Sequence, residues 1–165
     1  MQDIVFRLAE ILKSKGYWLS VAESCTGGLL AHTVTNVSGS SLWFKGGIVA
    51  YANEIKERLL GVDREILIQY GAVSQQCVLA MVQGLIKLFK TEVGVAISGI
   101  AGPGGGSEEK PVGTVYQAFW LNGQIWSKKC LFAGERLEIK EQSVEFCLKE
   151  LLTKFRNTKF NSLKR

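Results

Sequence analysis

The chain opens with apolar residues at helical spacing. Between positions 4 and 12 they fall on one face of a 3.6-residue period, and the pattern stops at Gly16. A strand is predicted over 17–22, and a tight turn then leads into a second helical pattern over 29–37. Ser24 therefore falls at a junction between a strand and a helix.

The middle of the chain continues to alternate strands and helices. A strand over 44–52 contains the pair Gly46-Gly47, which indicates a bulge or a close backbone approach. Asn53 is then placed to cap a short helix over 54–60. Two further helices and one strand are predicted at 64–70, 74–89 and 93–97. This third strand is apolar throughout, which is typical of a strand covered on both faces.

The last third of the sequence contains the clearest hairpin. Two strand-like runs, 114–121 and 124–132, flank the turn dipeptide Asn122-Gly123, so the pair is predicted to be antiparallel. The Gly- and Pro-rich segment 98–111 before it has the length of a functional loop. A final amphipathic helix is expected over about 135–155. The pattern as a whole predicts an α/β fold, with helices on both faces of a mixed sheet of about five strands.

Composition supports one globular domain. The chain has 165 residues, of which 47% are apolar and 21% charged, enough for one sizeable core and too few residues for two ordinary domains. We expect that domain to cover 1–155 and a basic, frayed tail to cover 156–165. Neither a membrane-spanning stretch nor a secretory signal is expected, so the predicted location is the cytoplasm and no membrane partner is predicted.

The distribution of charge and of potential metal ligands argues against two further functions, nucleic-acid binding by a folded face and metal-dependent chemistry. The formal charge of +5 is concentrated after residue 150, at Lys154, Arg156, Lys159, Lys164 and Arg165. A basic face for nucleic acid is not indicated, and the remaining hypothesis of that kind is binding through the tail alone. The cysteines are scattered and there is one histidine, so no metal site and no cofactor is expected.

Loops that follow predicted strands collect the residues able to do chemistry. In an α/β fold such loops meet beyond the carboxyl ends of the strands, which brings Ser24, Tyr51, Lys56 and Ser98 together. His32 lies inside a predicted helix, about 10 Å along its axis from Ser24, so a Ser-His-Asp triad is not expected.

Lys56 is the alternative base for Ser24. With Asn53 as the N-cap, Lys56 takes the third helical position, where the helix dipole disfavours the ammonium form. Tyr51 is predicted to end the preceding strand, within reach as a proton shuttle. Ser98 is expected to bridge the nucleophile and the amine.

Backbone amides supply the predicted anion-binding groups. Those of Thr26, Gly27 and Gly28 stand at a helix start, where they can serve as an oxyanion hole or hold a phosphate. The loop over 102–106, with Gly102, Gly104 and Gly105, exposes further amides with little side-chain bulk.

Simpler interpretations stand beside these. A serine at a helix start is usually a cap, an isolated lysine is usually solvated, and Tyr51 is usually an edge of the core. His32 is expected to be a half-exposed helix residue. Cys25 is a rival nucleophile because a thiolate at a helix N-terminus is activated, although a small buried apolar role is favoured for it.

Ungapped motifs in these segments resemble the CinA C-terminal domain family in its stand-alone form, the nicotinamide-nucleotide amidohydrolases. The matching stretches are AESCTGG at 22–28, GSS at 39–41, Gly47 through YANE at 51–54 to Lys56, GAVS at 71–74, SGIAGP at 98–103 and EKPVGTV at 109–115. They run in order from about residue 5 to residue 150.

The resemblance implies a three-layer αβα sandwich, no metal, and a homodimer or larger homo-oligomer. It implies hydrolysis of nicotinamide mononucleotide to nicotinic acid mononucleotide and ammonia, in pyridine-nucleotide salvage. Ser24 is then the nucleophile and Lys56 its base, with Tyr51 and Ser98 assisting. The residues expected to contact substrate are Thr26, Gly27, Gly28, Gly47, Asn53, Gly99, Ala101, Gly102, Gly104 and Gly105.

Some alternatives stay open at this point. The competing function is a non-catalytic nucleotide-binding or regulatory domain of the same fold. Candidates to hold ribose and phosphate are Arg136, the pair Ser40-Ser41 and the glycine loop. Larger relatives carry an additional N-terminal domain tied to pyrophosphate hydrolysis, and no activity of that domain is expected of this chain.

Overall fold

Five strands form one mixed sheet at the centre of the molecule. The computed structural model describes residues 1–162, and side-chain surroundings through residue 157. The strands are β1 (Leu19–Glu23), β2 (Phe44–Val49), β3 (Val93–Gly99), β4 (Thr114–Leu121) and β5 (Gln124–Leu131), and their order in the sheet is β2-β1-β3-β4-β5. β1 pairs in parallel with β2 and β3, whereas β4 runs antiparallel to β3 and β5.

Helices cover both faces of this sheet. They are α1 (Gln2–Lys15), α2 (Leu29–Thr35), α3 (Asn53–Leu60), α4 (Arg64–Tyr70), α5 (Gln75–Phe89) and α6 (Arg136–Ser162). One core lies between the sheet and α1, α2 and α6, and a second lies between the sheet and α3, α4 and α5. The predicted αβα sandwich with a mixed five-stranded sheet is therefore confirmed.

Glycine geometry confirms two local predictions. Asn122 and Gly123 both have positive φ, 45° and 93°, as a tight hairpin turn of this type requires. In β2 the register to β1 shifts between Phe44 and Gly46, which is a bulge. A Cβ on Gly47 would lie 2.5 Å from the Val21 side chain, so the backbones also approach closely there.

Several predicted boundaries were wrong, including that of β1, which was predicted over 17–22 and runs from Leu19 to Glu23. β2 ends at Val49, because residues 50–52 leave the sheet and turn into α3. β3 runs on to Gly99, because pairing with β4 extends it by two residues beyond the apolar run. α6 continues to Ser162, so residues 156–162 of the predicted frayed tail are helical. Residues 163–165 of that tail, and the side chain of Lys159, lie outside the described part of the chain.

Parallel pairing places three strand ends side by side. Glu23 at the end of β1 pairs with Val49 of β2 and with Ile97 of β3. Residues that follow these strands therefore emerge at one edge of the sheet, as the alternating pattern predicts. Within residues 1–162, no helix has both the length and the apolar character needed to cross a membrane.

Candidate active site

A cleft of about 270 Å³ opens where β1 and β3 end and α3 begins. Its lining comes from five parts of the chain, namely the segment after β1, the start of α3, the segment before α5, the loop after β3 and the start of α6. The lining residues are Ser24, Cys25, Tyr51, Asn53, Lys56, Ala72, Val73, Ser98, Gly99, Ile100, Ala101, Gly102, Gly104, Gly105 and Arg136.

Most of the predicted site residues share this cleft. All four predicted catalytic residues line it, together with Asn53, Gly99, Ala101, Gly102, Gly104 and Gly105. Thr26, Gly27, Gly28 and Gly47 do not line it. Ser40 and Ser41 also lie elsewhere, in a short 3-10 turn before β2.

Lys56 and Ser24 form the central contact of the cleft. Lys56 Nζ lies 3.1 Å from Ser24 Oγ, 2.7 Å from the Ala50 carbonyl oxygen and 3.1 Å from the Tyr51 carbonyl oxygen. Lys56 is only 1% exposed, and Ser24 is 8% exposed. A neutral amine in this position can donate its two N–H bonds to the carbonyls and offer its lone pair to the Ser24 hydroxyl.

Burial favours that neutral form. Removal from water lowers the pKa of the Lys56 ammonium from its ordinary 10.5, while the neighbouring Cys77 and Cys25 act in the opposite direction. The burial effect is the larger one. Lys56 is therefore a lysine whose surroundings suit it to accept a proton.

The predicted origin of this effect at a helix start was wrong in detail. The N-cap of α3 is Ala52, and no side-chain hydrogen bond caps the helix. Asn53 is the first residue of the helix. Lys56 consequently takes the fourth helical position. Its side chain runs back toward the helix N-terminus, as helical side chains do, and ends on carbonyls that precede the helix.

Tyr51 and Ser98 are placed differently from our prediction relative to Ser24 and Lys56. Tyr51 is 59% exposed and lies beyond the end of β2; its carbonyl oxygen accepts from Lys56, whereas its hydroxyl accepts from Arg136 Nη2 at 3.0 Å. Ser98 is buried in β3. Among the described residues, no hydrogen bond joins Ser98 to Ser24 or Lys56.

Two of the three amides predicted to bind an anion, those of Gly27 and Gly28, already act as donors within the protein. The Gly27 N–H donates to the Ser24 carbonyl at 3.0 Å, and the Gly28 N–H donates to the Glu23 carboxylate at 3.2 Å. The predicted oxyanion hole therefore cannot use these two amides, because both already have acceptors. Thr26 Oγ1 is buried and has no hydrogen-bond partner within the described chain.

Glycines in and around the cleft have different roles. Gly47, predicted to contact substrate, is instead required by packing, because a Cβ there would meet the Val21 backbone oxygen at 2.7 Å. Gly102 has a φ of 77°, and a Cβ there would meet Val112 at 2.5 Å. A Cβ on Gly104 would have no neighbour within 4 Å, so this position leaves open space beside the cleft.

The rival groups are poorly suited to chemistry. Burial raises the pKa of the Cys25 thiol to about 11, so the thiol stays protonated near neutral pH, in agreement with the favoured buried role. His32 is exposed on α2, hydrogen bonded to Asn36, and does not line the cleft. No group of three or more His, Cys, Asp or Glu side chains is placed to hold a metal ion among the described residues.

Two residues of the site were not among the predicted catalytic residues; Arg136 was a candidate to hold ribose and phosphate, and Glu23 had no predicted role. Arg136 donates to the Gly102 carbonyl at 2.7 Å as well as to Tyr51, which places its guanidinium at the mouth of the cleft. Glu23 is 1% exposed and is the neighbour of Ser24 in the chain. An acid directly before Ser24, at the end of a strand-like run, was the available signal for Glu23.

Comparisons with known proteins match these features to one family. The model of the CinA C-terminal domain matches residues 1–155. A nicotinamide-nucleotide amidohydrolase PncC of Enterobacter agglomerans is 44% identical over 156 residues, covering 94% of this chain and 95% of that protein. The Escherichia coli K12 protein of the same name is 43% identical over 150 residues, covering 90% and 91%.

Longer proteins and solved structures are similar as well. A putative competence-damage inducible protein of Moorella thermoacetica is 52% identical over 138 residues, and this chain spans about a third of its length. The crystal structure of a competence/damage inducible protein from Agrobacterium tumefaciens has a TM-score of 0.89 at 39% identity, covering 92% of this chain and 93% of that one. A Klebsiella pneumoniae structure reaches 0.91 at 34% identity, covering 94% and 96%. The chain that builds this Ser24–Lys56 cleft belongs to the CinA C-terminal domain family.

Proposed function

We propose that this chain is an amidohydrolase that converts nicotinamide mononucleotide to nicotinic acid mononucleotide and ammonia. The observation that carries the proposal is the buried Lys56 amine, 3.1 Å from the Ser24 hydroxyl in a cleft. Relatives that align over nearly their whole length and bear the name nicotinamide-nucleotide amidohydrolase support the choice of substrate. We further propose a cytoplasmic setting in pyridine-nucleotide salvage and a homo-oligomeric state.

In the first half of the reaction Ser24 attacks the carboxamide carbon. Neutral Lys56 takes the Ser24 hydroxyl proton as the Oγ–C bond forms. When the tetrahedral intermediate collapses, the C–N bond breaks and Lys56 returns the proton to the departing nitrogen. Ammonia leaves, and an ester remains on Ser24.

Water resolves the ester in the second half. Lys56, neutral again, takes a proton from the water that attacks the ester carbon. The C–Oγ bond breaks, the proton returns to Ser24, and nicotinic acid mononucleotide leaves. No group other than water is consumed, so the buried base completes both halves of the cycle unchanged.

The oxyanion of each tetrahedral intermediate needs donors other than Gly27 and Gly28. The N–H of Cys25 donates to no other described residue, and Cys25 lines the cleft directly after the nucleophile. In hydrolases with a nucleophile on a strand-to-helix turn, the residue after the nucleophile supplies such a donor. We therefore assign the Cys25 amide to this role.

The nucleotide phosphate is assigned to the mouth of the cleft. Arg136 carries a guanidinium there, and a planar guanidinium suits bidentate phosphate binding. Gly104 and Gly105 leave space beside it, because a Cβ on Gly104 would have no near neighbour. Tyr51, whose hydroxyl accepts from Arg136, orients that side chain.

Ammonia release tests the proposal directly. Purified protein should release one ammonia per nicotinamide mononucleotide converted. Ser24→Ala should lower kcat at least about a thousandfold, as loss of a nucleophile does, with unchanged thermal unfolding. Cys25→Ala, one residue away in the same turn, is the matched control and should keep most of the activity.

Two results would contradict this assignment. Wild-type protein that binds the nucleotide in calorimetry without releasing ammonia would favour the non-catalytic nucleotide-binding domain. Loss of activity in Cys25→Ala, with full activity in Ser24→Ala, would make Cys25 the nucleophile.

A further inference from the structure

The carboxylate of Glu23 ties together the two ends of the turn that carries Ser24. Its Oε2 accepts from the N–H groups of Gly28 at 3.2 Å and Leu30 at 3.0 Å, and its Oε1 accepts from Ala31 at 2.8 Å. Glu23 ends β1, whereas its three donors lie at the start of α2. Ser24 therefore sits in a short loop closed by one side chain.

This closure restricts a loop that contains two glycines. Gly27 and Gly28 both have positive φ, 61° and 99°, and glycine populates many other conformations at little cost. A buried carboxylate that accepts three backbone N–H bonds at a helix start is held firmly, since charge-assisted hydrogen bonds are the strong ones. The carboxylate thus selects one conformation of the turn.

The main chain of Glu23 also connects to the anchor of the base. Its carbonyl oxygen accepts from the Ala50 N–H at 2.8 Å, and the Ala50 carbonyl in turn accepts from Lys56 Nζ. On the other side, the Ser24 N–H donates to the Ile97 carbonyl at 2.9 Å. Glu23 consequently lies between the segment that holds the nucleophile and the segment that holds the base.

Glu23 takes no direct part in the chemistry. Within the described chain its carboxylate forms hydrogen bonds to neither Ser24 Oγ nor Lys56 Nζ. We infer that Glu23 is a positioning residue, whose carboxylate sets the distance between Ser24 Oγ and Lys56 Nζ by fixing the turn. This inference rests on the proposed function for its kinetic readout.

Glu23→Gln is the sharpest variant. Glutamine keeps the size of the side chain but has only one acceptor oxygen. Its NH₂ group must therefore face at least one backbone N–H that donates to the second carboxylate oxygen in the wild type. Ser20→Ala is the matched control, because Ser20 is also buried in β1 and its hydroxyl bonds to Thr91 Oγ1 at 2.7 Å, away from the cleft.

The assay measures kcat and KM for nicotinamide mononucleotide, thermal unfolding, and the rate at which a fluorophosphonate probe labels Ser24. In Glu23→Gln we expect kcat and the labelling rate to fall about 10- to 100-fold, as for a nucleophile displaced by a fraction of an ångström to one ångström, with KM within about twofold. Ser20→Ala should lower thermal stability alone. A Glu23→Gln protein with wild-type kcat and labelling rate would overturn the inference.

Two further arms keep the test decisive. If Glu23→Gln does not fold, Glu23→Asp retains the charge but withdraws the carboxylate by one methylene, and it must show the same kcat loss. A Glu23→Asp protein with wild-type kcat would overturn the inference. If wild-type protein releases no ammonia, the proposed function fails by itself, and the labelling rates of wild type and Glu23→Gln still decide the positioning role.

Discussion

Lys56 Nζ lies closer to the Ala50 carbonyl oxygen, at 2.7 Å, than to Ser24 Oγ, at 3.1 Å. Lys56 is therefore anchored by a backbone group just after β2, and Ser24 is brought to it by the separate turn after β1. Because α3 starts directly after this anchor, the lysine side chain folds back over its own helix entrance.

Replacement of Lys56 by methionine should separate activity from stability. Lys56→Met removes the base and should lower kcat about 10²- to 10⁴-fold. The free energy of unfolding should change by less than about 2 kcal/mol, because relief of the buried amine offsets the two carbonyls left without a donor. Lys128→Met on β5, whose ammonium contacts Glu150 at 3.6 Å, is the control and should leave kcat unchanged. Lys56→Met with near wild-type kcat would exclude the lysine as base.

Activity should rise with pH along one limb. The neutral amine of Lys56 is the active form, and burial lowers its pKa below 10.5, so kcat/KM should increase as pH rises through that lowered pKa and level off below 10.5. A pH–rate profile between pH 5 and pH 10 measures this limb. A profile that is flat, or that falls throughout this range, would contradict the assignment.

The free energy of unfolding should also depend on pH through Lys56. Between the lowered pKa of folded Lys56 and 10.5, the unfolded chain binds a proton that the folded chain does not. The free energy of unfolding therefore gains a contribution that increases with pH across this window, and the full cost of burying the charged ammonium is present below it. Denaturant titrations of wild type and Lys56→Met across the window measure the difference in the free energy of unfolding, which should stop changing with pH above the upper end of the window.

Arg136→Ala should weaken binding of the phosphate. We expect kcat/KM for nicotinamide mononucleotide to fall about 10- to 100-fold, the usual range for a lost hydrogen bond to a charged group. The same measurement with nicotinamide riboside, which lacks the phosphate, should show little change. Equal losses with both substrates would indicate that Arg136 acts through Tyr51 and Gly102 rather than on the phosphate.

Gly47→Ala should lower stability alone, whereas Gly104→Ala should change KM alone. Gly47→Ala places a Cβ 2.5 Å from Val21 and should destabilise the fold by about 1–3 kcal/mol, with KM unchanged in the folded fraction. Gly104→Ala meets no atom within 4 Å and should leave thermal unfolding unchanged while raising KM. If Gly47→Ala raises KM without loss of stability, Gly47 contacts substrate as the sequence first indicated.

The membership of the cleft was largely predictable because it follows from strand order. Ser24 and Tyr51 come after parallel strands and Ser98 lies at the end of another, and such strands end at one edge of the sheet. Hydrophobic periodicity establishes the strands, and the strands then determine which loops meet.

Hydrogen-bond partners were not predictable in the same way. Periodicity ends the predicted strand at residue 22 and leaves Glu23 in the loop that follows, and it does not show that the Glu23 carboxylate turns toward the start of α2. Arg136 lies 85 positions after Tyr51, and their contact depends on how α6 packs. The pKa of Lys56 likewise depends on burial, which only the assembled core provides.

The burial of Lys56 also determines where protons travel. With 1% of the residue exposed and its amine facing two carbonyls and one hydroxyl, the base has almost no contact with bulk solvent. In the proposed mechanism, a proton taken from Ser24 would stay on this buried amine, beside the reacting bond, until the departing nitrogen accepts it. In this mechanism the Ser24 proton therefore leaves with ammonia in the first half of the reaction, and a proton from the attacking water restores the Ser24 hydroxyl in the second.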